Sequence, residues 1–107
     1  MSDVFHSVEW DEEKSQRNDM VRGFDFAYAA QLFRGAYVEE ESRTRGFGER
    51  RFVAIGAVDG LILTVVWTPR NTARRIISAR RASRKERRYY YVHRSEETLR
   101  TRSGPDR

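Results

Sequence analysis

The sequence predicts an α+β domain in which two helices lead into a four-stranded antiparallel meander and a further helix follows. Three observations carry this. Phe26, Ala29, Ala30 and Phe33 recur at helical spacing. Between Ala36 and Arg80, runs of β-formers alternate with polar turns, and Asp59-Gly60 is a strong hairpin signal. Beyond them, Ser83-Arg84-Lys85-Glu86 has the spacing of a capping box at a helix start.

Taken in order, Val8-Glu9-Trp10 alternates apolar and polar residues, as a short edge strand would. Asp11 suits an N-cap, and Glu12 and Glu13 suit the positive end of a helix running to about Val21 and stopped by Gly23. Asp25 caps the second helix, whose aromatic residues read as core, and Gly35 ends it. Ala36–Arg43 and Arg51–Val58 then read as strands joined by a polar loop at 44–49. Leu61–Thr68 is almost continuously apolar and reads as the central strand. A turn is expected at Pro69-Arg70-Asn71, followed by a last strand over Arg75–Arg80. In that strand Ile76, Ser78 and Arg80 should share one face. The early helices should cover one side of the sheet, leaving the other to the C-terminal helix and a ligand. On that helix Tyr89, Tyr90 and Tyr91 cannot all face one way, so one should pack inward and one lie exposed. Residues 1–94 read as a single domain and 95–107 as a polar, flexible tail.

The chain has 107 residues, of which 38% are hydrophobic and 35% charged, enough apolar material for one modest core. It has no cysteine, which removes disulfides, thiolate metal sites and cysteine nucleophiles and suits a reducing cytoplasm. No run approaches the ~20 apolar residues of a membrane span. The acidic start, MSDVFHSVEWDEE, lacks the apolar stretch of a signal peptide. Charge is unevenly placed. Residues 1–68 carry 8 basic and 12 acidic side chains, whereas residues 69–107 carry 13 basic and 4 acidic. A basic second half points to a polyanionic partner, either nucleic acid or an acidic protein.

The catalytic inventory is thin. His6 and His93 are the only histidines and lie far apart, so no zinc-type spacing and no metal or cofactor site is expected. No glycine-rich phosphate loop occurs. What remains is Arg, Tyr, Glu and backbone, a set that still suits RNA cleavage. There the ribose 2′-OH attacks its own phosphate, and the protein need only hold the geometry and stabilise charge. Arg80, at the end of an apolar strand, with Arg84 and Arg87 three apart on the next helix, would build a phosphate site beside a helix N-terminus. Arg51 would reach the same surface. An arginine serving only the fold would need a carboxylate partner, and few acids lie near Arg80 in sequence. The bland alternative for each arginine is a solvated charge or an ion pair.

Several ordered stretches carry a family resemblance: VEWDEEK, then Asn18 and Gly23-Phe24-Asp25-Phe26, RFVAIG, DGLILTVVWT and RIISARRASRKER. Over residues 8 to about 91 the chain resembles the BrnT toxins. The resemblance implies a RelE-like fold and a ribonuclease of a type II toxin–antitoxin pair. It also implies neutralisation by a BrnA-type, DNA-binding antitoxin, within a homodimer or a toxin–antitoxin heterotetramer. Ser78, Arg80, Arg84, Glu86 and Arg87 match the family pattern. Candidate catalytic residues are therefore Arg80, Arg51, Ser78 and Glu86, and candidate RNA contacts are Arg84, Arg87, Arg75 and Arg22. Glu86 is also explained by the capping box alone. One departure stands out: where family members often carry Lys-His-Gly, this chain has Val21-Arg22-Gly23. If that histidine moves a proton, Arg22 cannot replace it, because arginine stays protonated. The substitution implies a weakened enzyme, or a non-catalytic module that binds nucleic acid or docks an acidic partner.

Overall fold

The computed structural model describes residues 5–42 and 48–94. The expected tail at 95–107 and most of the loop at 44–49 lie outside them. Strand β1 (Ser7–Glu9) leads into helix α1 (Glu12–Arg22), a single helical turn α2 (Phe26–Ala29) and a 3₁₀ segment (Ala30–Arg34). Strands β2 (Tyr37–Glu41), β3 (Phe52–Val58), β4 (Leu61–Arg70) and β5 (Ala73–Arg81) follow, then helix α3 over residues 84–94. The sheet order is β1-β5-β4-β3-β2. The antiparallel meander is present, but the sheet as a whole is mixed, because β1 pairs in parallel with β5.

Local chemistry accounts for the helix ends. The Asp11 carboxylate accepts from the Lys14 N–H at 3.1 Å, and Gly23 takes φ +89°, a left-handed value that favours glycine, while donating to the Asp19 carbonyl. Asp25 caps α2 through the Tyr28 N–H at 2.8 Å. Buried Ser15 accepts from the Phe26 N–H at 2.9 Å and so locks the two helices together.

Two apolar layers flank the sheet. Phe24, Phe26, Ala29 and Leu32 pack on Leu63, Val65 and Trp67 of the larger one, with Phe33 at its margin. The smaller layer joins Ile55 and Ile62 to Ala82 and Tyr90, beneath α3. Tyr90 is buried and Tyr91 half exposed, the split that helical geometry requires.

Two expectations need correcting. The chain does not turn at Pro69, which stays in β4 opposite Arg74; the turn follows at Asn71, with φ +57°. Proline is tolerated there because β3's last pairing with β4 is Phe52 opposite Trp67, so no ladder bond to β3 is lost. Second, Ile76 does not share a face with Ser78 and Arg80. A bulge falls where Val66 pairs with Ser78 but Trp67 pairs with Ile76, which puts Ile76 with Ala79 in the larger core. Arg74, part of the basic run, is also structural. It is buried among Phe5, Phe33 and Trp67, with ring centres 5.2, 4.6 and 5.0 Å from its guanidinium carbon, and it donates to Tyr37 Oη at 2.9 Å.

Candidate active site at the β5–α3 junction

The capping box forms at the start of α3. Glu86 N–H donates to Ser83 Oγ at 3.1 Å, and Ser83 N–H donates to Glu86 Oε1 at 2.8 Å. Glu86 does more than cap. Arg80 reaches it from the end of β5 through Nη1 and Nη2, both at 2.8 Å, and buried Thr64 of β4, directly opposite Arg80, donates its hydroxyl at 3.0 Å. Arg80 thus has the carboxylate partner that proximity in sequence did not suggest, and the expectation of an unpaired arginine is corrected.

This network holds the Glu86 carboxyl down at about 2, chiefly through Arg80, with Ser83 and Thr64 adding to it against partial burial. A carboxylate so stabilised is a poor proton carrier near neutrality. Its chemical effect is to hold Arg80. An arginine has five N–H donors. Glu86 takes the Nη1–Nη2 end, and Nη1 also donates to the Arg81 carbonyl at 3.3 Å. Among the described residues nothing engages the Nε–H or the neighbouring hydrogen on Nη2. That side edge is the second bidentate face of a guanidinium, and 41% of the Arg80 side chain is exposed.

The other candidates divide by location. Arg84 and Arg87 are exposed on the first turn of α3, and Arg87 donates to the Ala82 carbonyl at 3.1 Å. Arg51 and Arg75 do not join them. Arg75 pairs with Thr68, four residues or ~13 Å along β4 from Thr64, and Arg51 directly precedes Phe52, which pairs with Trp67; each has its own carboxylate, Glu49 for Arg51 and Glu9 for Arg75, both at 3.0 Å. Ser78 lies half-buried opposite Val66, beside a groove along α1. Arg22 lines the same groove and donates to the Ala79 carbonyl at 3.3 Å. Sequence reasoning missed Thr64, whose signal was a hydroxyl in the middle of the apolar run LILTVVW. Among the described residues no three His, Asp or Glu side chains gather to hold a metal ion.

The model of the family described as "Ribonuclease toxin, BrnT, of type II toxin-antitoxin system" matches residues 10–86. The chain belongs to this BrnT family. A similar solved structure is the 1.1 Å crystal structure of the Brucella abortus ribonuclease toxin BrnT. It has 29% sequence identity and a TM-score of 0.56, over 73% of this chain and 97% of that one. No curated protein matches. Membership of the BrnT family implies an RNA substrate and an antitoxin partner. Among the described residues no helix is long and apolar enough to cross a membrane.

Proposed function

We propose that the chain is a cytoplasmic endoribonuclease toxin, related in fold to RelE-type toxins, and that it cleaves RNA at the β5–α3 junction. The observation that carries this is the geometry of Arg80: one edge is pinned by Glu86, and among the described residues nothing engages the other, which leaves a fork for a phosphate on a side chain 41% exposed. The ribose 2′-oxygen attacks the adjacent phosphorus, and the bond to the 5′-oxygen breaks. The products are a 2′,3′-cyclic phosphate and a 5′-hydroxyl that gains the departing proton. Arg80 stabilises charge on the phosphoryl oxygens, and Arg84 and Arg87 hold flanking phosphates. Glu86 acts as a positioning residue rather than an acid or base. Ser78, on the α1 side, and Arg51 and Arg75, at the far end of β4, extend the RNA track away from the scissile bond, whereas Arg22, which reaches the Ala79 carbonyl next to Arg80, borders it. Among the described residues no histidine contacts Arg80, so water carries the protons, and the rate falls below that of relatives with a histidine at position 22. A BrnA-type antitoxin neutralises the enzyme in a homodimeric or heterotetrameric complex.

The runner-up is a binding module of the same fold, favoured by Arg22 at the histidine position. One experiment separates them. Purified protein is incubated with a synthetic RNA and with its fully 2′-O-methylated counterpart. Cleavage of the first alone, leaving cyclic or 3′-phosphate ends, supports the enzyme. Intact RNA, or cleavage of both, rejects the proposed chemistry.

A further inference from the structure

The outer edge of β5 is only partly used. β1 covers Ala73–Arg75 and then leaves for α1. Ala82 N–H donates inward to the Ile62 carbonyl, so alternation along the strand turns the main-chain groups of Ala79 and Arg81 outward. Their two carbonyls are met only by side chains, Arg22 on Ala79 and Arg80 on Arg81, each at 3.3 Å. Among the described residues no partner engages the two N–H groups. An open strand edge is a template for another strand, and native proteins usually blunt it. Here Arg81 is exposed, but Ala79 is fully buried, with Arg22 on its carbonyl, so an added strand must first displace Arg22.

The surroundings describe what would fit. Lys14, Arg17, Asn18, Val21 and Arg22 share one face of α1 and line a groove of about 320 Å³ with Ile77 and Ser78 along this edge. Three of them are cationic. Met20 and Val21 of the same helix are 86% and 72% exposed. Cations alone would suit RNA equally well. The unpaired main-chain groups at alternate residues decide for a polypeptide, because a strand satisfies donors and acceptors at that repeat.

We infer that residues 77–81 of β5 accept an extended partner segment as an added strand, and that the segment alternates acidic with apolar side chains. The inference rests on the toxin–antitoxin reading only for the partner's role. The added strand's N–H groups replace Arg22 and Arg80 on the two carbonyls, and its carboxylates take up the freed guanidinium groups. The strand then occupies the open side of Arg80, so docking and inhibition are one event.

The probe is fluorescein-labelled (Glu-Val)₄ peptide, followed by anisotropy. A version N-methylated at every residue keeps the charge but has no N–H left on either strand edge. The wild type should bind the first peptide at least about tenfold more tightly than the second. Arg81→Pro removes an outward N–H and should weaken binding about tenfold, whereas Arg81→Ala, which removes only charge, should cost about two- to threefold. Circular dichroism checks that the proline variant folds; if it does not, the N-methylated peptide carries the test. Equal affinity for both peptides, or no binding up to ~1 mM, overturns the inference. So does 2′-O-methyl RNA that binds here more tightly than the peptide with no loss in Arg81→Pro. RNA cleavage is scored on the same samples. Peptide binding without cleavage sinks the enzyme but not the docking edge, and cleavage without peptide binding does the reverse.

Discussion

Glu86→Gln tests whether the junction network is an ionic clamp. The substitution keeps the shape and the contacts with Ser83 and Thr64 but removes the charge that Arg80 grips at 2.8 Å. A carboxyl moved from the ordinary 4.5 to about 2 corresponds to roughly 3 kcal/mol at ~1.4 kcal/mol per pH unit. The pair is half open, with 24% of the Glu86 and 41% of the Arg80 side chain exposed, and solvent screening reduces this to about 1–2 kcal/mol. For a chain of this size that is a fall of roughly 5–10 °C in Tm at pH 7. The sign with pH follows from linkage. The folded-state pKa lies below the unfolded one, so the wild type holds its full advantage above about 4.5 and loses it as pH falls through about 2. Thermal unfolding of both proteins at several pH values between 7 and 2 reads this directly, since the other carboxylates titrate alike in the two and cancel in the difference. Equal Tm values at pH 7, or a gap that persists unchanged at pH 2, would refute the clamp.

Three further outcomes follow from local geometry. Ser83→Ala should lower stability by about 1 kcal/mol in a denaturant melt, because the cap to Glu86 N–H is lost. Gly56→Ala should cost about 1–3 kcal/mol in the same assay, since an added Cβ would lie 2.9 Å from Tyr37 Cβ and 3.0 Å from Leu32 Cγ. Arg22→His should raise the RNA cleavage rate by roughly tenfold or more and give it a pH dependence near ~6.5; an unchanged, pH-flat rate would remove position 22 from the chemistry.

What the sequence made legible was local. The Asp11 and Asp25 caps, the Gly23 stop and the Ser83–Glu86 box are each decided within a few residues, and all formed. What it hid depends on partners distant in the chain. The bulge before Ser78 is set by pairing with β4, so no period in β5 alone reveals that Ile76 points with Ala79. The parallel seat of β1 is a choice among strand edges made 66 residues away, where Glu9 meets Arg75. Arg74 looks in sequence like one more surface cation; only the fold closes three aromatic rings around it. The candidate site was half legible. Arg80 and Glu86 were both singled out, but their pairing crosses from a strand into a helix and has no short-range signature.

On the proposed mechanism Arg80 is a phosphate fork held in place by Glu86. This role is tested most directly by single-turnover RNA cleavage with Arg80→Ala beside Glu86→Gln, two variants that break the same ion pair. Both should stay folded and lose similar stability. Arg80→Ala should cut at least ~100-fold more slowly than the wild type. Glu86→Gln should lose much less, and Arg80→Lys should recover only part, because an ammonium cannot make the bidentate contact. Wild-type cleavage by folded Arg80→Ala, or equal losses in Arg80→Ala and Glu86→Gln, would contradict it.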